Sequence, residues 1–225
     1  MKRILIAVDG SEHSAVAARF ALDWAKRSGA TLEGLHVIGP GALPQEDKTE
    51  EIVESGTPME DEEKADLIQR TGEVLLGEVG KWAADAGVSW ESTVERGDIV
   101  PCILAHSDTT DITVLGALGH QRNPLQLVGS TAAKVAAEAI RPVLVTRGEH
   151  KPIQRVLIGY NRTDGAANAV AFAAQWAGIA GWEIRLVTGA DYVPDGEQVV
   201  ARAQKFLSHY SISCKTRVTI PADGT

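Results

Sequence analysis

"RILIAVDGSEHSAVAARFALDWAKRSGATLEGLHVI", residues 3–38, contains two apolar runs separated by a helical stripe. The first run, residues 3–8, ends in Asp9-Gly10, the pattern of a short strand buried in a parallel sheet. Ala17, Phe20, Ala21, Trp24 and Ala25 then recur at helical spacing, and Gly29 falls where helices are commonly closed by glycine. Residues 31–38 form a second apolar run and hence a second strand. Strand, helix and strand in this order make a right-handed crossover between parallel neighbours.

The same alternation continues outward. A helix of about 20 residues is expected from near Glu62 to Ala86, closed at Gly87, by its periodicity and terminal glycine. Residues 88–95 alternate as a third strand, and Asp98 is placed to cap a helix running through His106. Residues 112–117 are a fourth strand, Thr131–Ile140 a helix, and 142–147 a fifth strand. Residues 1–147 are therefore expected to form an α/β domain with a doubly wound, parallel five-stranded sheet of order 3-2-1-4-5. Ligands in such sheets bind beyond the carboxyl ends of the strands where the order reverses, here between β1 and β4.

Residues 2–37 align without gaps on residues 154–189. The identical pairs include Arg3/Arg155, Leu5/Leu157, Phe20/Phe172, Trp24/Trp176 and Gly29/Gly181. The paired tryptophans read as core. From Lys205 a weaker match to residues 81–98 resumes at an offset smaller by 28, the missing part corresponding largely to an acidic segment. Residues 153–225 are thus expected to be a degenerate, incomplete second copy of the same unit. Asn161 stands opposite Asp9 and Arg162 opposite Gly10, and nothing corresponds to Gly116–Thr131, so whatever site the first copy holds is not expected there. Such a half leaves a sheet edge to be covered and suits docking.

Charge and composition narrow the function. The chain is 44% hydrophobic and 23% charged, with a net charge of −8, as in ordinary globular proteins. Ten acids between Gln45 and Asp66 against Lys48 and Lys64 account for the whole imbalance, so this stretch reads as a solvated insertion. No basic stripe remains for a nucleic-acid backbone. Cys102 and Cys214 lack metal or disulfide spacing, and the six histidines have no ligand spacing. The opening apolar run is too short for a signal peptide, and no run approaches the ~20 residues that span a membrane. The expected location is the cytoplasm.

"GALGHQRNPLQLVGST", residues 116–131, follows the fourth strand. Gly116 and Gly119 lack β-carbons, so their amides are free to approach a ligand closely and to take positive φ. Gly129-Ser130-Thr131 opens the last helix, whose free N–H groups and dipole favour an anion. Arg122 and His120 in the intervening loop read first as solvated side chains. Taken singly, Asp9-Gly10 is a turn, Ser11 a helix cap and Val37 a strand residue; their common position at the switch point argues for more.

The spacing Gly-x2-Gly-x9-Gly-Ser after a fourth strand, with Asp9 closing the first, resembles the universal stress protein family, specifically its ATP-binding branch. The likeness extends over the first copy and the start of the second, giving a tandem arrangement. It implies ATP, AMP or ADP lying across β1 and β4, with Mg²⁺ on the phosphates. Asp9 with Ala7 would then hold the nucleoside end, and Val37 would contact adenine. Gly116, Gly119, Gly129, Ser130 and Thr131 would hold ribose and phosphates. Leu118 departs from the pattern, since a basic residue often precedes the second glycine. The resemblance also implies pairing through the edge strand after the glycine loop, as a homodimer or an intramolecular pseudo-dimer.

Two readings stand beside an ATP-binding stress regulator. One is a nucleotide-free dimerisation scaffold. The other is an enzyme, either a slow ATP hydrolase or an ATP pyrophosphatase. No Gly-x4-Gly-Lys-[Ser/Thr] loop and no base paired with a nucleophile support fast chemistry, and "VDGSEHS" differs from the loop that a pyrophosphatase needs.

Overall fold

The computed structural model describes residues 1–40, 61–119, 127–190 and 193–219. Of the acidic stretch between Gln45 and Asp66, residues 45–60 lie outside the described residues, as do His120 and Arg122. The chain divides into two compact units, Met1–His150 and Lys151–Thr225.

In the first unit the elements run β1 (Arg3–Ala7), α1 (Glu12–Ser28), β2 (Thr31–Ile38), α2 (Asp61–Asp85), β3 (Trp90–Arg96), α3 (Ile99–Ser107), β4 (Ile112–Gly116), α4 (Ser130–Glu138) and β5 (Val143–Thr146). The five strands form one sheet in the order β3-β2-β1-β4-β5, all neighbours parallel. The expected fold and strand order are those observed. β1 is central because Ile4, Leu5 and Ile6 are all fully buried, which requires helices on both faces. α1 turns Ala17, Ala18, Ala21, Trp24 and Ala25 inward and packs on β1 and β4, while α2 packs on β2 and β3. On the opposite face, Leu5, Leu35 and Leu115 form a core with Ile103 of α3 and Ala132 and Val135 of α4.

Helix ends follow local chemistry. The Ser14 N–H donates to Ser11 Oγ at 3.1 Å, capping α1, and Gly29 closes it at φ 69° in the left-handed region. Some local details differ from expectation. Val88 does not begin β3, because its N–H is taken by Ala83 O at the end of α2. Asp98 precedes α3, but its side chain makes no capping bond. α4 begins at Ser130 and ends at Glu138 rather than spanning Thr131–Ile140.

The second unit consists of β6 (Arg155–Gly159), α5 (Asp164–Ala180), β7 (Glu183–Gly189), α6 (Val193–His209) and β8 (Cys214–Thr219), with a parallel sheet ordered β6-β7-β8. The pairing of Arg3 with Thr31 in the first unit has its counterpart in Arg155 with Glu183. That of Leu32 with Trp90 has its counterpart in Ile184 with Cys214. Thr163 caps α5 as Ser11 caps α1, and Gly181 closes it at φ 70°. Trp24 and Trp176 are both buried, and Trp176 stacks on Trp182 with ring centroids 5.8 Å apart. Among the described residues, no helix is long and apolar enough to cross a membrane.

Candidate functional site

Beyond the carboxyl ends of β1, β2 and β4 lies a cavity of about 560 Å³. Ala7, Asp9, Val37, Gly116, Gly119, Gly129, Ser130 and Thr131, the eight residues singled out in the sequence, all line it. The chain brings them together through a short series of backbone ties. Asp9 leaves β1 and accepts the Ser11 N–H on Oδ1 at 2.9 Å, an Asx turn completed by Gly10 at φ 81°. Ser11 Oγ donates to the Leu118 carbonyl at 3.4 Å, joining the exit of β1 to the exit of β4. The Gly129 N–H donates to Ala117 O at 2.7 Å, drawing the start of α4 back to the same place.

Gly116 and Gly119 are not in the left-handed region, contrary to expectation, and Gly129 is extended as the N-cap of α4. What they provide is space. A β-carbon on Gly116 would stand 2.7 Å from the backbone carbon of His13, so this glycine admits the first turn of α1 against β4. On Gly119 it would stand 2.9 Å from Asp9 Oδ2, and on Gly129 3.3 Å from Ala117 O. Gly129 is also the N-cap of α4, and as a glycine it has no side chain with which to cap that helix. The first amides of α4 and its positive dipole end are therefore left at the cavity wall beside the exposed Ser130 hydroxyl.

Several lining residues were not singled out in the sequence. Leu35, Ile99, Ile103, Leu115 and Ala132 supply an apolar wall, and Ser11 and Ser14 add polar atoms. Ile99 and Ile103 stand four apart on α3, so one helical face was a legible signal once α3 was known to begin at this crevice. Leu118, where a basic residue was the alternative, is buried.

α3 is held in place by an ionic cluster that the sequence did not reveal. Glu33, buried in the middle of β2, meets Arg3 Nη2 at 2.7 Å and His106 Nδ1 at 2.7 Å. The other ring nitrogen of His106 lies 3.0 Å from Glu95, and Arg3 also binds Glu91 at 2.7 Å. Burial pushes the Glu33 carboxyl upward, but hydrogen bonds from Arg3 and His106 and their charges outweigh it and hold it below the ordinary glutamate value. Burial pushes both thiols up, with Glu95 and Asp98 adding to the effect at Cys102. Neither cysteine has thiolate character. Among the described residues, no group of three His, Cys, Asp or Glu side chains is arranged to hold a metal ion.

Residues 1–147 match the universal stress protein family. A universal stress protein of Mycolicibacterium smegmatis is 33% identical over 147 residues, covering 64% of this chain and 45% of that relative. One from Methanocaldococcus jannaschii is 30% identical over 157 residues, covering 67% and 84%. The chain thus spans less than half the length of the first relative and most of the second. Among solved structures, a universal stress protein from Archaeoglobus fulgidus shares the fold, with a TM-score of 0.76 at 18% identity, over 98% of this chain and 79% of that one.

Proposed function

We propose, from the premise that this chain belongs to the universal stress protein family, that its first unit is an adenine-nucleotide-binding regulator of the stress response. The observation that carries the reading is one cavity lined by Asp9, by Gly119 and by the glycine-capped start of α4. Its volume of about 560 Å³ suits a small-molecule site. The apolar wall of Val37, Leu35, Ile99 and Ile103 fits a flat base. Asp9, with Ala7 beside it, would accept hydrogen bonds from the nucleoside end. Gly116, Gly119, Gly129, Ser130 and Thr131 would take ribose and phosphates, the amides of α4 favouring their charge. Mg²⁺ would be held by the phosphates, a hydroxyl and water, in keeping with its retained hydration. The site is read as binding ATP, ADP or AMP in the cytoplasm, with slow ATP hydrolysis the limit of its chemistry.

We read the second unit as a partial copy of the first, on the strength of their matching strand registers. Asn161 Oδ1 accepts the Thr163 N–H at 3.2 Å as Asp9 does that of Ser11, and Arg162 takes φ 66° where Gly10 takes 81°. The turn is retained, while the carboxylate and glycine loop are not, so this unit is assigned no nucleotide. β5, an edge strand with half-buried Val143, Leu144 and Val145, is read as the surface on which two copies pair.

Calorimetric titration of the full chain with ATP, ADP and AMP tests the nucleotide reading. Saturable micromolar binding that Asp9→Ala abolishes is expected. Absence of heat with all three nucleotides, together with no adenylate in mass spectra of the gently purified protein, leaves the scaffold reading in its place.

A further inference from the structure

We propose that His36 is a positioning residue of the crevice, holding the end of β1 so that Asp9 is presented to the ligand; the proposal rests on reading the crevice as a nucleotide site. His36 stands in β2 between Leu35 and Val37, both of which line the cavity. Successive residues of a strand point to opposite faces, so the imidazole lies behind the cavity wall, under α2. A β-carbon on Gly72 of α2 would stand 2.6 Å from His36 Cδ2, so the helix leaves the ring its room by having glycine there. From this place His36 Nδ1 reaches the Val8 carbonyl at 2.7 Å. A carbonyl oxygen only accepts, so Nδ1 is the donor.

That bond takes the place of a rung of the sheet. The register of β1 with β2 ends at Ala7 and Leu35, and the Val8 N–H still donates to Leu35 O at 2.8 Å. In a parallel ladder the Val8 carbonyl would next accept a backbone N–H of β2; here it accepts from the imidazole of His36. The Val8 carbonyl and the Asp9 N–H belong to one planar peptide, so anchoring the first fixes the direction in which Asp9 leaves the strand. Asp9 Oδ1 then takes the Ser11 N–H at 2.9 Å, which sets its carboxylate. The strand pair of the second unit forms without such an imidazole. Tyr160, opposite Val8, donates its N–H to Val187 O at 2.8 Å, the same backbone rung. Thr188, opposite His36, has its hydroxyl on the Gly189 carbonyl at 3.5 Å instead. This is the unit in which Asn161 stands in the place of Asp9, so imidazole and carboxylate are present together and replaced together.

Two substitutions separate the donor from the bulk of the ring. His36→Leu keeps an apolar volume against Gly72 and removes the donor. His36→Asn loses the ring and keeps a side-chain N–H as near the backbone as Nδ1. Hydrogen exchange of the Ser11 amide is followed by NMR in the nucleotide-free full chain, with the Thr163 amide of the equivalent turn as internal reference. ATP affinity is measured by calorimetry. His36→Leu is expected to speed Ser11 exchange about tenfold and to weaken ATP binding about tenfold, and His36→Asn to recover most of both. A role confined to packing predicts the reverse order, because asparagine leaves the larger gap, and that order would overturn the proposal. So would unchanged Ser11 exchange in His36→Leu, or unchanged affinity where the parent binds ATP. If the parent binds no adenine nucleotide but Ser11 exchange follows the expected order, the nucleotide reading fails and the placing of Asp9 by His36 stands.

Discussion

A β-carbon on Gly119 would stand 2.9 Å from Asp9 Oδ2, so the carboxylate that ends β1 occupies the space left open by the backbone leaving β4. Asp9 is exposed, and its carboxylate is the end of a flexible side chain. Gly119→Ala is therefore expected to displace that carboxylate at little expense to folding. The thermal midpoint should stay within about 2 °C of the parent, while ATP affinity falls about tenfold, near 1.4 kcal/mol. Melting curves and calorimetric titration of the same preparation check both halves.

Gly116→Ala should behave in the opposite way. Its β-carbon would meet the carbonyl carbon of His13 at 2.7 Å and its oxygen at 2.9 Å. Those are backbone atoms in the first turn of α1, and they move only if the helix moves. Overpacking of this kind typically destabilises by about 1–3 kcal/mol. Urea unfolding is expected to show that loss; a fully stable variant with lost affinity would make ligand contact, rather than the packing of α1 on β4, the chief demand on Gly116.

This division between two glycines of one motif marks how far the sequence was legible. The strands, their order and the crevice followed from apolar runs and crossover handedness, since β1 and β4 have few other ways to be buried. Asp9 and the glycines with Ser130 and Thr131 were legible because they follow β1 and β4 where the strand order reverses, whereas Ala7 and Val37 came from the family resemblance. Which neighbour each glycine admits was not, because His13 and Asp9 approach through tertiary packing that spacing does not encode. Glu33 was hidden for the same reason. Within "TLEGLHVI" it reads as a surface residue of a strand, and only the fold brings Arg3 and His106 to it.

Glu33 gives the unit an acid-sensitive contact. Its carboxyl is held below the ordinary glutamate value by Arg3 and His106, so the folded state favours its ionised form. That stabilisation is complete above the unfolded value of about 4.3 and is lost as pH falls through the folded one. Asp111 acts with the same sign, because the backbone N–H groups of Lys2 and Arg3 outweigh its burial. Glu33→Gln is expected to lower stability at neutral pH by about 1–2 kcal/mol, because two hydrogen bonds to a buried carboxylate weaken while Arg3 and His106 keep Glu91 and Glu95 as partners. It should also flatten the dependence of unfolding free energy on pH below about 4.3. Chemical denaturation from pH 3 to 7 reads both effects, and parallel curves for parent and variant would count against the cluster.

Ser130→Glu separates phosphate binding from folding most cleanly. Ser130 is the first residue of α4, is exposed, and follows an N-cap glycine that offers no capping side chain. A carboxylate in the first turn of a helix interacts favourably with the dipole, by about 0.3–1 kcal/mol. Stability is therefore expected to hold or rise slightly. The same negative charge would stand where the phosphates of a bound nucleotide are assigned, and like charges repel. Affinity should consequently fall in the order ATP, ADP, AMP, the largest loss for the ligand with most phosphate charge, and adenosine should be nearly unaffected. If all four lose affinity equally, the start of α4 holds the nucleoside end and the assigned orientation in the crevice is reversed. Should none change, the phosphates lie away from α4 and the uncapped helix end has no part in binding.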